Sequence, residues 1–294
     1  MIARRGLILA VPWLWLLLFL AGPLAIVGAI ALAEPAEGVP PYALGFSLAN
    51  LELVLTDPLY RDALGLSLRV AGIATLACLL IGYPMALAIA RAPEAWRDPL
   101  LLGVMLPFWT GFLMRLNAWI GLLADQGWIN AALAWTGVGP MRLLYTDTAM
   151  FIGIVYSYLP FMVLPLYTQL SRLDPVLSEA ASDLGASPLR GFLRVTLPLS
   201  LPGIGAGCAL VFIPAVGEFV IPELLGGPDA ALIGRVLWGE FFNNRDWPTA
   251  AALAVVLLVA LVGVPGVVMW VSRRFRGAAI NWLPSPRGRG WGRG

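Results

Sequence analysis

The apolar and polar positions of the chain alternate in long blocks: six apolar runs are separated by polar connections. The runs are about Leu7–Ala33, Leu66–Ala90, Leu100–Ala124, Ala149–Leu170, Gly203–Leu225 and Thr249–Val271. Each is close to the ~20 residues a helix needs to cross a bilayer. The first follows a basic start at Arg4 and Arg5. It exceeds the ~7–15 apolar residues of a signal peptide, so it is expected to stay as a membrane helix. No second soluble domain is indicated. The expected fold is an all-α membrane protein of six transmembrane helices. Its parts are a first helix with an extracytoplasmic loop over 1–65, a five-helix core over 66–271 with a polar hairpin at 171–202, and a disordered cytoplasmic tail over 272–294.

Composition agrees with that class. Of 294 residues, 60% are hydrophobic and 12% charged, against about a quarter charged in a soluble domain. Mean hydropathy is +0.83. The absences narrow the chemistry. There is no His and no Lys; all 19 basic residues are Arg. The commonest general base and metal ligand is therefore missing, Schiff-base chemistry is excluded, and a Walker A phosphate loop cannot be built. No cofactor is expected in the chain. Cys78 and Cys208 lie inside apolar runs and read as buried small hydrophobes. The arginines divide unevenly between the two sides, thirteen against five when Arg69 at the edge of the second run is counted with its preceding connection, and Arg115 lies inside the third run. The positive-inside rule then puts both termini, and the connection after the fourth run, in the cytoplasm.

That connection contains EAASDLGASPLRGFLRVTLP, Glu179 to Pro198. Asp174-Pro175 is a helix start, with Asp as N-cap and Pro in the first turn. Val176, Ala180 and Leu184, with Leu177 and Ala181, form an apolar stripe at helical period, while Glu179 and Asp183 form an acidic ridge. Gly185 stops the helix. Ser187-Pro188 repeats the start, and Leu197-Pro198 with Pro202 is expected to end the second helix before the fifth span. The bland alternative is a connector lying on the bilayer. An acidic polar face argues instead for a protein partner, docked through a short helix in a groove.

Glu179-Ala180-Ala181, Gly185, Val195 and Leu197-Pro198 resemble the cytoplasmic motif of ABC-importer permeases, with Val in place of Ile. The resemblance implies a type I importer (MetI-like) fold in the bacterial inner membrane. It implies a coupling helix, Glu179 to Gly185, seated in a cleft of an ATPase subunit that binds the ATP. The implied partners are two ATPases, a second similar or identical permease and an extracytoplasmic binding protein. The stretches Phe112–Asn130 and Gly217–Pro248 are similar to permeases of the polyamine branch, nearer to the putrescine member. An importer of the same architecture for spermidine, ferric ion or an organic anion is the first alternative, and a self-sufficient secondary transporter the second.

Glu218, in the outer half of the fifth span, is costly in lipid and is expected to face a cavity or a partner. Either it lines a solute path with Glu223, Trp109, Asp125 and Glu240, or it forms a salt bridge with Arg115 or Arg69. Carboxylates among aromatics suit an organic dication. Gly203–Gly207 reads as a small-residue surface for helix contact rather than a nucleotide fingerprint.

Overall fold

The computed structural model describes residues 10–280 except 138, with side chains described as far as 263. Helix α1 is Ala10–Ala31, with one turn widened to π geometry at Leu17–Ala21. A two-stranded antiparallel hairpin follows, β1 (Glu34–Pro35) and β2 (Tyr42–Ala43), then α2 (Ala49–Thr56). Buried Asn50 donates to Ala31 O (3.1 Å) and Ala33 O (2.7 Å). It thereby satisfies carbonyls that the end of α1 leaves free.

Helix α3 is Pro58–Arg91, a single rod of 34 residues. Asp57 caps it by accepting the Leu59 N–H at 2.8 Å, and Pro58 fills the first helical position. At 1.5 Å per residue it is roughly 51 Å long, well beyond a ~30 Å hydrocarbon core. The expected start at Leu66 is therefore late: Arg61 and Asp62 lie on the helix, not in a loop.

The third expected span, Leu100–Ala124, is not one helix. It divides into α4 (Glu94–Trp109), α5 (Phe112–Leu123) and a short α6 (Trp128–Trp135), and the chain bends by 89° after Trp109. Thr110 and Gly111 are extended, with ψ of 136° and 144°. Helix α7 is Asp147–Leu170, capped by Thr146, and α8 is Pro175–Asp183.

Helix α9 runs unbroken over Pro188–Val216. Pro198 and Pro202 do not end it, contrary to expectation. Its turn at Phe192–Thr196 is widened, and Leu197 N–H reaches back five residues to Phe192 O. A π turn at this point takes up the misfit that a following proline creates. Short α10 (Val220–Leu225) and α11 (Ile233–Trp238) follow, then α12 (Trp247–Ile280). Because α12 is helical through Ile280, the expected tail boundary at 272 falls inside it. Arg4, Arg5 and the segment PSPRGRGWGRG lie outside the described residues.

Helices α1, α3, α7 and α9 are each long and apolar enough to cross a membrane, and the bent α4–α6, taken as one span, makes a fifth. Helix α12, with a 34-residue backbone, is long enough for a sixth. Helices α3, α7 and α9 pack on one another as the centre, while α12 packs on α1 and α2. Small residues allow the close approach. A β-carbon on Gly207 would lie 2.7 Å from Met162 Sδ, and one on Gly203 would lie 2.7 Å from Gln169 Cβ. Gly203 and Gly207 thus face α7, the contact role expected of that stretch.

Candidate functional site

The hairpin after α7 is built by local hydrogen bonding. Asp174 accepts the Val176 N–H at 3.0 Å and starts α8. At the other end Ala186 N–H donates to Ala181 O (3.0 Å) and Gly185 N–H to Ser182 O (2.9 Å). This pair of bonds is a Schellman stop, and it needs a left-handed residue. Gly185 supplies it at φ +79°. Pro188 opens α9, but Ser187 makes no side-chain cap bond.

None of residues 175–195 is buried. Leu184 is 89% and Val176 59% exposed, and Glu179 and Asp183 are exposed beside them. Ala180 is exposed and Ala181 half-buried. An apolar stripe bordered by carboxylates is therefore largely exposed. An apolar patch of this kind, rimmed by polar groups, marks an interaction surface.

The second arm of the hairpin is the membrane helix itself. Leu197 is half-buried and Pro198 exposed in the stretch where the arm enters the bundle. Tyr83 of α3 holds the arm there: its hydroxyl lies 2.9 Å from Ser200 Oγ, and its ring meets Phe192 edge-on at 5.7 Å. Helix α9 then extends 29 residues, roughly 43 Å, to Val216. One continuous helix therefore joins the hairpin to the far half of the protein.

The rod stops at Gly217–Phe219. Glu218, buried at 8% exposure, occupies this break. Its Oε1 accepts the N–H groups of Val220 (3.0 Å) and Ile221 (3.3 Å), and its Oε2 accepts Tyr158 Oη–H at 2.5 Å. The carboxylate therefore caps α10 and ties it to α7. It makes no salt bridge with Arg115 or Arg69. Arg115 instead donates from Nη1 to Pro107 O (3.0 Å) and lies over the rings of Phe108 and Phe112, at 5.2 and 5.5 Å. It braces the elbow between α4 and α5.

Beyond Glu218 a cavity of about 510 Å³ opens between α5, α10 and α11. Leu113, Phe219, Glu223, Arg235, Trp238 and Asn243 are among its walls. Phe219 stacks on Trp238 at 4.6 Å, and Trp238 meets Phe242 at 4.1 Å. Glu223 and Arg235 pair across it at 2.6 Å. A carboxylate beside aromatic faces can receive an organic cation, with Arg235 as the cation now in place.

The remaining residues expected along a path are not gathered there. Trp109 is 79% exposed at the end of α4, and Asp125 is exposed beyond α5. Glu240 accepts from Tyr60 Oη–H (3.0 Å) and Asn244 Nδ2 (2.8 Å), outside the cavity lining. Sequence reasoning missed Tyr158, Phe219 and Arg235 as parts of the site. Phe219 and Arg235 fall inside the stretch singled out for its resemblance, but Tyr158 carried no signal in a run of apolar residues. Cys78 is buried and Cys208 half-buried, and both are free. Among the described residues no group of His, Cys, Asp or Glu could hold a metal.

Comparison with known proteins places this geometry. The family described as "Binding-protein-dependent transport system inner membrane component" matches residues 6–277. The spermidine/putrescine transport system permease protein PotB of Escherichia coli (strain K12) is 43% identical over 266 residues, covering 90% of this chain and 95% of that protein. The protein of the same name from Haemophilus influenzae is 41% identical over 254 residues, covering 86% and 88%. Among solved structures, a chain of the bacterial alginate ABC transporter shares the fold with a TM-score of 0.72 at 18% identity, over 93% of this chain and 96% of that one. With the match covering residues 6–277, the chain belongs to the family of inner-membrane components of binding-protein-dependent transport systems.

Proposed function

We propose that this chain is the translocation subunit of an ATP-driven importer for polyamines, putrescine and spermidine being its solutes. One observation carries the solute class: 43% identity, sustained over 95% of a permease named for those two compounds. The Gly217–Pro248 stretch resembles the putrescine member of the polyamine branch, so putrescine is placed first. The cavity chemistry agrees. An extended di- or triamine offers ammonium groups to Glu223 and methylenes to Phe219 and Trp238, and one ammonium takes the place of Arg235.

In this reading both termini face the cytoplasm, and so does the hairpin. Glu179, Ala180, Ala181, Asp183 and Gly185 enter a cleft of an ATPase subunit, with Leu197 and Pro198 at the root of the second arm. The chain itself binds no nucleotide. A second permease completes the pathway, and a binding protein delivers the solute from outside. ATP binding draws the two ATPases together and moves the hairpins, and α9 carries that movement to the break at Glu218. The work comes from the ATPases' different grip on the two states.

Uptake tests the solute. Cells lacking their own polyamine importers, expressing this chain with its companion subunits, should accumulate labelled putrescine, and spermidine at a different rate. Accumulation of an anion such as molybdate with no polyamine uptake would refute the solute class and leave the importer reading in place.

A further inference from the structure

A second cavity, of about 460 Å³, lies at the opposite end of the bundle, between the end of α3, the start of α4, the root of the hairpin and α9. It is separate from the cavity beside Glu223, and its lining takes in Pro175, Leu177 and Ser178 of α8 but not Glu179 or Asp183. Two arginines line it. Arg91 closes α3, and Arg97 sits one turn into α4. Arg97 is held in place: its Nε donates to Ala92 O at 2.9 Å, which leaves its terminal nitrogens to other acceptors. Neither arginine has a carboxylate partner, because the one ion pair among the described residues is Glu223–Arg235. The acid in the wall, Asp174, is engaged by the Val176 N–H. Leu87, Val195 and Leu199 add apolar surface to its lining. Trp96, the sequence neighbour of Arg97, is 63% exposed, and tryptophan collects at the depth of the lipid headgroups.

We propose that this cavity binds the headgroup of an anionic phospholipid from the cytoplasmic leaflet, the phosphate bridging Arg91 and Arg97 and the acyl chains descending along Leu87 and Leu199. A basic pocket between membrane helices on the cytoplasmic side is the recognised setting for such headgroups. Guanidinium forks suit a phosphate bidentately. The apolar wall favours a lipid over a soluble phosphate. The wall includes Asp174, Pro175 and Leu177, so a lipid seated there braces the root of α8 and makes coupling depend on membrane charge. The inference rests on the cytoplasmic orientation proposed above.

The test uses the complex of this chain with its ATPase, in nanodiscs of phosphatidylcholine alone or mixed equally with phosphatidylglycerol. Native mass spectrometry should find phosphatidylglycerol retained on the wild-type complex. The Arg91→Gln/Arg97→Gln pair should hold it about thirtyfold more weakly, and the Arg91→Lys/Arg97→Lys pair should regain most of the binding. ATP turnover of the wild type should rise with phosphatidylglycerol, and that of the glutamine pair should not. Equal retention by wild type and glutamine pair, or no retention by the wild type, overturns the proposal. So does displacement of the lipid by millimolar inorganic phosphate, which would assign the site to a soluble anion. Labelling of an Ala92→Cys variant by an impermeant reagent from outside intact cells would refute the orientation. Lipid retention is measured independently of that labelling.

Discussion

Gly185 gives the proposed docking of the hairpin a quantitative test. Its φ of +79° lies in the left-handed region, and a β-carbon there would meet nothing within 4 Å. Alanine at this position therefore adds no clash, only backbone strain of about 1–2 kcal/mol. The chain can relieve that strain by unwinding the last turn of α8, which carries Asp183 and the Schellman bonds to Ala181 and Ser182. If that turn must be intact to dock, Gly185→Ala weakens ATPase binding by roughly 5–30-fold. Asparagine tolerates the left-handed region better, so Gly185→Asn should fall between the two. Gly191 is the internal control: it has φ −58° and open space around it. There alanine is helix-compatible, and Gly191→Ala should leave docking unchanged while stabilising α9 by about 0.5–1 kcal/mol. The assay is a titration of purified ATPase subunit onto the permease in nanodiscs. Equal affinities for the wild type and Gly185→Ala, or an asparagine variant worse than alanine, would refute the reasoning.

Three other outcomes follow from the packing. Glu218→Ala removes three hydrogen bonds to a buried carboxylate and should lower the unfolding free energy by about 3 kcal/mol or more. Glu218→Gln keeps the acceptor for Val220 and Ile221 and should lose about half as much in thermal denaturation; a Gln variant of full stability with no uptake would mean the residue serves the solute alone. Glu223→Gln breaks a pair that is 35% and 54% exposed, so stability should change by less than about 1 kcal/mol. Polyamine uptake should nevertheless fall several-fold, and unchanged transport would remove Glu223 from the path. Gly207→Val forces a side chain into the space of Met162 Sδ and should destabilise the α7–α9 contact by about 1–3 kcal/mol, read as a lowered Tm.

Much of the architecture is legible because hydropathy and cap chemistry are local. The stop at Gly185 and the start at Asp174-Pro175 need only neighbouring residues, and the structure has both. The misses have physical causes. Arg61, Asp62 and Arg69 dilute the hydropathy at the start of α3, although the Asp57-Pro58 cap was there to be read. The elbow at Thr110–Gly111 is invisible to hydropathy averaging, because apolar residues flank it on both sides and Arg115 holds it through Pro107 O. Pro198 and Pro202 read as breaks, yet a widened turn at Phe192–Thr196 absorbs them, and proline signals do not reveal such a turn. Glu218 is buried, and the salt bridge to Arg115 or Arg69 that the sequence offered as its alternative does not form. Its partner, Tyr158, lies 60 residues away, and no local pattern connects the two.

The proposed function requires the hairpin to be held by an ATPase from the cytoplasmic side, and a single cysteine tests that most directly. Asp183→Cys, in a chain whose Cys78 and Cys208 are replaced by alanine, would be exposed to a membrane-impermeant maleimide in right-side-out and everted vesicles. Labelling should occur only in everted vesicles and should be blocked when the ATPase subunit is added. Labelling in right-side-out vesicles, or a rate indifferent to the ATPase, would contradict it.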